Sequence, residues 1–119
     1  MREKPRDKSR LAHILSSCDT IIESMQRFNY DQITSEPLLY YGLIKHVEII
    51  GEAIYMLSKE FKEEHPEVEW QTIADLRHIL VHDYYRINSE LLKPIIETDV
   101  PELRDIIKQL HDGMPDSDS

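Results

Sequence analysis

Apolar residues recur at three- and four-residue steps over most of the chain. Leu11, Ile14, Leu15, Cys18, Ile21, Ile22, Met25 and Phe28 form one stripe, which predicts an amphipathic helix running to about Asn29. Ser9 is the expected N-cap, with Asp7 as the rival. Residues 29–35 read as a connection. Ser35-Glu36-Pro37 predicts the next start: a hydroxyl cap, an acid in the first turn and a proline whose missing N–H costs nothing there. From Leu39 through Leu43, Ile44, Val47, Ile50, Ile54, Leu57 and Phe61 the spacing stays helical, predicting one long helix to about Glu64. Gly51 lies inside it. Glycine there costs about 1 kcal/mol against alanine, and close helix packing is the expected reason. His65-Pro66-Glu67-Val68-Glu69 breaks the pattern. A third helix is expected from about Trp70 to His82 or Tyr85. A fourth is expected around Leu91–Glu97, capped by Asn88 or Ser89. A fifth, through Leu103, Ile106, Ile107 and Leu110, follows a restart or kink at Pro101. The predicted fold class is all-α, a four- to five-helix up-and-down bundle. One helical domain is expected over residues 1–112, with a polar C-terminal tail at 113–119.

Composition narrows the function classes. Three Gly and six Pro in 119 residues are too few turn formers for a sandwich or barrel of many short strands. A single cysteine, Cys18, excludes a disulfide framework or a thiolate zinc cluster within one chain, and its place in the apolar stripe predicts a core residue. No apolar run approaches the roughly 20 residues that span a bilayer, and Met1–Lys8 lacks a signal-peptide core. A reduced, cytoplasmic protein is therefore expected, with no membrane association. Fourteen Lys+Arg against 23 Asp+Glu leave a net charge of −9. That argues against a broad basic face for nucleic acid and leaves room only for a small, locally basic site.

Residues 75–86 carry the chemistry: Asp-Leu-Arg-His-Ile-Leu-Val-His-Asp-Tyr-Tyr-Arg. On an ideal helix with Arg77 at zero, Val81 projects near +40°, His78 near +100°, His82 near +140°, Tyr84 near −20° and Tyr85 near +80°. Ile73, Leu76, Ile79, Leu80 and Ile87 take the other side. One side suits a core; the other gathers a permanent cation, two imidazoles and two phenols. Asp83 falls in the apolar arc, which predicts that the helix distorts or ends near His82 and lets Arg77 and His82 converge. A histidine can take and return a proton near neutral pH. An arginine offers a planar, charged fork to phosphate oxygens. Together they suit cleavage of RNA by attack of a 2′-hydroxyl on its own phosphodiester, with charge building on phosphorus. A solvated or packing face is the competing reading of the same pattern.

Other constellations are weaker. Asp75, His78 and His82 have metal-compatible spacing, yet no third strong ligand stands out, so neither a metal nor a cofactor is expected. Glu48 and Glu52 flank Gly51 one turn apart and suit a cleft wall or solvated face better than an acid–base pair. Trp70, Tyr30, Tyr40 and Tyr41 are expected as core or interface anchors. A glycine-rich phosphate loop is absent from the sequence.

Arg77-x-x-x-x-His82-x-Tyr84 resembles the Arg-x-x-x-x-His-x-Tyr motif of HEPN-superfamily toxins of the HepT type. Ile49-Ile50-Gly51-Glu52-Ala53 resembles the family's Ile-Gly-Glu-Ala segment. Pro66 with Trp70 resembles its Pro-x-x-x-Trp turn, and Asp99-Val100-Pro101-Glu102-Leu103 its Asp-Leu-Pro-x-Leu segment. The likeness spans roughly residues 35–110. It implies a HEPN-like helical homodimer whose two Arg/His pairs share one cleft and act as a metal-independent endoribonuclease toxin. On it, Arg77 and His82 would be catalytic, and His78 and Tyr85 would line the cleft. Tyr84 would accept AMP from an MNT-type nucleotidyltransferase antitoxin, silencing cleavage of the RNA substrate. The position after the arginine, usually polar and often Asn or Asp in the family, is His78 here. The rival reading is a catalytically inactive HEPN-like module that binds a nucleotide or a nucleotidyltransferase partner; a helical scaffold with no chemistry is the third.

Overall fold

The computed structural model describes residues 3–71, 73 and 89–115. All regular structure among these residues is helical. The first helix, α1 (Glu3–Arg27), is 25 residues long. It starts a turn and a half before Ser9, so neither expected cap begins it. Asp7 has another task. It is fully buried, and its carboxylate accepts from the Ser58 backbone N–H at 2.8 Å and from the Ser58 hydroxyl at 2.6 Å.

The expected connection at 29–35 contains a short helix, α2 (Tyr30–Ser35). Asn29 Oδ1 accepts from the Gln32 N–H at 2.8 Å, and Gln32 Oε1 accepts from the Asn29 N–H at 2.9 Å. This reciprocal box satisfies two donors that a helix start leaves orphaned. Tyr30 and Ile33 anchor the turn in the core. Ser35 therefore closes α2 rather than opening the next helix; its hydroxyl donates back to the Asp31 carbonyl at 2.7 Å. The cap position passes to Glu36, which makes no side-chain cap bond, and Pro37 supplies the first turn of α3 (Pro37–Met56).

The single long helix expected to Glu64 is two. α3 ends at Met56, and Ser58 caps α4 (Lys59–Glu64) by accepting from the Phe61 N–H at 3.1 Å. The apolar period runs unbroken through Leu57 and Phe61, both buried, so the break is invisible to periodicity. Toward the C-terminus, α5 (Ser89–Pro94) runs through a π-helical turn, Ile95–Asp99, into α6 (Val100–Asp112). The kink expected at Pro101 takes this form. Proline cannot donate, and its ring crowds the carbonyl four residues back, so the helix widens by one residue where that carbonyl lies.

α1 packs on α3 and on α6. Leu11, Ile14, Cys18 and Ile21 of α1 meet a core that includes Ile44, Val47 and Ile54 of α3 and Val100, Leu103 and Ile107 of α6. Gly51 is buried in α3. Beyond α6, Lys8 Nζ donates to the Met114 carbonyl at 2.9 Å, and Met114 packs partly on the core. Among the described residues, no buried side-chain nitrogen or oxygen lacks a partner, and no helix is long and apolar enough to cross a membrane.

Candidate functional site

The segment singled out by its chemistry, with Asp75, Arg77, His78, His82, Asp83, Tyr84, Tyr85 and Arg86, lies outside the described residues. The structure describes what leads into it and what supports it. On the N-terminal side, Phe61 is buried by the α4 start, with its ring 4.7 Å from His65 and 6.0 Å from Trp70. Trp70 Nε1 donates to the His65 carbonyl at 2.9 Å, so the buried indole keeps its one polar group satisfied. The Ile73 N–H then reaches the Glu69 carbonyl at 3.2 Å, and the chain is helical at Trp70, Gln71 and Ile73. The Pro66–Trp70 turn is thus an aromatic latch that aims the chain into the motif. On the C-terminal side, α5 opens at Ser89, directly after residue 88 in sequence.

The Ile49–Ala53 segment sits in the middle of α3. Ile50, Gly51 and Ala53 are buried, Glu48 is half-buried and Glu52 is exposed. A groove of about 460 Å³ opens here between α1 and α3, lined among others by Arg10, His13, Lys45, Glu48 and Glu52. Arg10 Nη1 donates to the Met56 carbonyl at 2.6 Å, where the C-terminal end of α3 concentrates partial negative charge. Lys45 Nζ lies 3.8 Å from Glu48 Oε1. Glu48 therefore belongs to a mixed-charge wall, which agrees with a cleft-lining role better than with an acid–base pair.

Two residues expected to supply local positive charge behave differently from each other. Lys45 is exposed. His46 is half-buried, 3.2 Å from the Ser17 hydroxyl through Nδ1, and its burial holds the imidazole pKa below the ordinary 6.5. It is neutral at physiological pH and adds no cation. Arg10 and His13 were missed as groove residues: on a sequence they read only as the polar side of α1. Cys18 is core as expected, its thiol pushed up to about 12 chiefly by burial, so it is no nucleophile. No group of three His, Cys, Asp or Glu that could hold a metal exists among the described residues.

A helical frame whose latch and long-helix segment bracket an Arg/His motif defines a HEPN-type ribonuclease scaffold. The family model described as Ribonuclease HepT-like matches residues 14–110, and the chain belongs to this family. A candidate RNase from Caldanaerobacter subterraneus subsp. tengcongensis is 35% identical over 100 residues, covering 84% of this chain and 89% of the relative. Another candidate RNase, from Methanocaldococcus jannaschii, is 35% identical over 97 residues, covering 82% and 89%. A Thermococcus cleftensis protein named for ribonuclease HepT is 27% identical over 107 residues, covering 90% and 97%. No solved structure matches the chain significantly.

Proposed function

We propose that this ribonuclease-family chain is a metal-independent endoribonuclease and the toxin of a toxin–antitoxin pair. One observation carries the reading: Arg77-x-x-x-x-His82-x-Tyr84 lies intact inside the 14–110 stretch that the HepT-like family matches. The chain would work in the cytoplasm as a homodimer, since each copy brings one Arg77 and one His82 to a shared cleft. One His82 takes the proton of the RNA 2′-hydroxyl as its oxygen attacks phosphorus. The P–O5′ bond breaks, and the other His82 returns a proton to the leaving 5′-oxygen. Arg77 holds the phosphate oxygens as charge builds there. The products are a 2′,3′-cyclic phosphate and a 5′-hydroxyl, and no metal or cofactor enters the balance. His78 and Tyr85 line the cleft. With a net charge of −9, RNA binding depends on few cations and weakens with salt.

Regulation belongs to the same reading. An MNT-type nucleotidyltransferase antitoxin transfers AMP to the Tyr84 hydroxyl. The added phosphate competes for Arg77, and the nucleotide occupies the RNA path.

The test is cleavage of a labelled RNA in EDTA by wild type, Arg77→Ala and His82→Ala. Wild type should cut and leave cyclic phosphate ends, and each variant should lose about 10²–10⁴-fold in rate while staying folded. Activity that needs added divalent metal, or full activity in folded His82→Ala, defeats the mechanism. A folded wild type that binds but never cuts RNA favours the inactive module.

A further inference from the structure

Leu38, Tyr41, Lys45, Glu48, Glu52 and Tyr55 recur along α3 at alternating steps of three and four. This is the 3.5-residue spacing by which one helix lays a seam against another. The seam lies away from the inner side that buries Val47, Ile50 and Ile54. Leu38 is 84% exposed, Tyr55 57% and Tyr41 52%, so three large side chains on one helix face outward. Next to them, Gly42 has open space where a Cβ would stand, which allows a neighbouring helix to come close.

The order of the side chains selects the occupant. In a two-fold contact, residue i meets j and j meets i. An antiparallel copy of α3, with the axis between positions 46 and 47, sets Lys45 opposite Glu48 of the second copy, Tyr41 opposite Glu52 and Leu38 opposite Tyr55. Each pairing occurs twice. Both lysines find a carboxylate, the Tyr41 phenol can donate to Glu52, and the apolar residues close the ends of the seam. The alternatives are worse. A parallel copy opposes Lys45 to Lys45 and Glu48 to Glu48. Sliding the antiparallel copy by one heptad sets Glu48 against Glu52 in one direction and against Leu38 in the other.

We propose that this face is the two-fold interface of the protein, with a second copy of the chain seated antiparallel on α3. The proposal rests on the shared-cleft reading above and adds where the copies meet. The groove lined by Arg10, His13, Lys45, Glu48 and Glu52 involves the same face, so the second copy forms its outer wall.

Sedimentation of the full chain tests it with Lys45→Glu and Glu48→Lys. Either variant alone brings four like charges together and should raise the dimer dissociation constant at least about tenfold. An equimolar mixture of the two restores opposite pairs between chains and should recover the dimer. Within each variant, positions 45 and 48 remain alike in charge, so recovery cannot come from repair inside a helix. A monomeric wild type, variants that stay dimeric, or a folded mixture that stays monomeric overturns the proposal. If circular dichroism shows a charge variant unfolded, the solvent-facing Leu38→Glu replaces it, and a dimer unaffected by that change overturns the proposal as well. RNA cleavage is read on the same samples: monomeric single variants with a rescued mixture support the interface, and full cleavage by those monomers removes the shared cleft instead.

Discussion

The two short helices begin alike and are held differently. α2 and α4 have six residues each, far below the length at which a helix stands alone in water. Each starts with a side chain accepting from the N–H three residues on: Asn29 from Gln32, Ser58 from Phe61. In α2 the second half of the box comes from within, because Gln32 returns the bond to the Asn29 N–H. In α4 the matching position is Phe61, which has nothing to return. The Ser58 N–H is met by Asp7, 51 residues away on α1. One box is local and exposed; the other is completed across the fold and buried. The lesson is that α4, and with it the Phe61–Trp70 latch leading into the motif, depends on α1 being in place.

The largest way to break this comparison is Asp7→Ala. It strands the buried Ser58 N–H and hydroxyl, and bonds to a charged group of this kind are worth about 1.5–3 kcal/mol each. We expect a loss of at least about 2 kcal/mol in urea unfolding, with a change in Trp70 fluorescence. A loss below about 0.5 kcal/mol would make the two boxes equivalent. Next comes Ser58→Ala, expected to cost about 1–2 kcal/mol and to be non-additive with Asp7→Ala in a double-mutant cycle. Asn29→Ala should cost about 0.5–1 kcal/mol, because water can replace an exposed cap, and it should add independently to either change. The smallest effect is titration of His46, a second tie between α3 and α1. Burial lowers its pKa below 6.5, so the unfolded chain binds the proton first. Its contribution is whole above pH 6.5 and is lost as pH falls through 6.5 toward the folded value. Melting curves across that range should show the slope in wild type and in all three cap variants, and a weaker one in His46→Gln.

The same contrast explains what the sequence made readable. The all-helical class, the α3 start at Pro37 and the core positions follow from period and local caps, and they hold. The α2 box was also local, Asn29-x-x-Gln32, but it sat in a polar stretch with too few apolar residues to suggest a helix. The end of α3 at Met56 was beyond reading, because Leu57 and Phe61 continue the period and the acceptor for Ser58 comes from residue 7. The early start of α1 was hidden for the same reason: Asp7 looks like a cap and acts as a distant one. At the site, the motif was readable because its residue types carry reactivity on their own. The groove was not, since Arg10 and His13 acquire meaning only when α1 is laid beside α3.

The π-helical turn at Ile95–Asp99 makes the C-terminal helical run a matter of phase. Leu92, Ile96 and Val100 are four residues apart twice over, and all are buried. On a regular α-helix that spacing walks about 40° round the axis at each step. The wide turn takes up the excess, so the stripe that α5 presents is handed on in register to Leu103 and Ile107. The number of residues between Pro94 and Pro101 is therefore under tighter constraint than their identity. Exposed Glu97, Thr98 and Asp99 can change type freely, whereas removing any one of them would straighten the helix and turn α5 by about 100° against α6. Because α5 opens directly after residue 88, such a deletion would rotate the C-terminal anchor of the Arg77–Tyr84 segment without touching a residue of it.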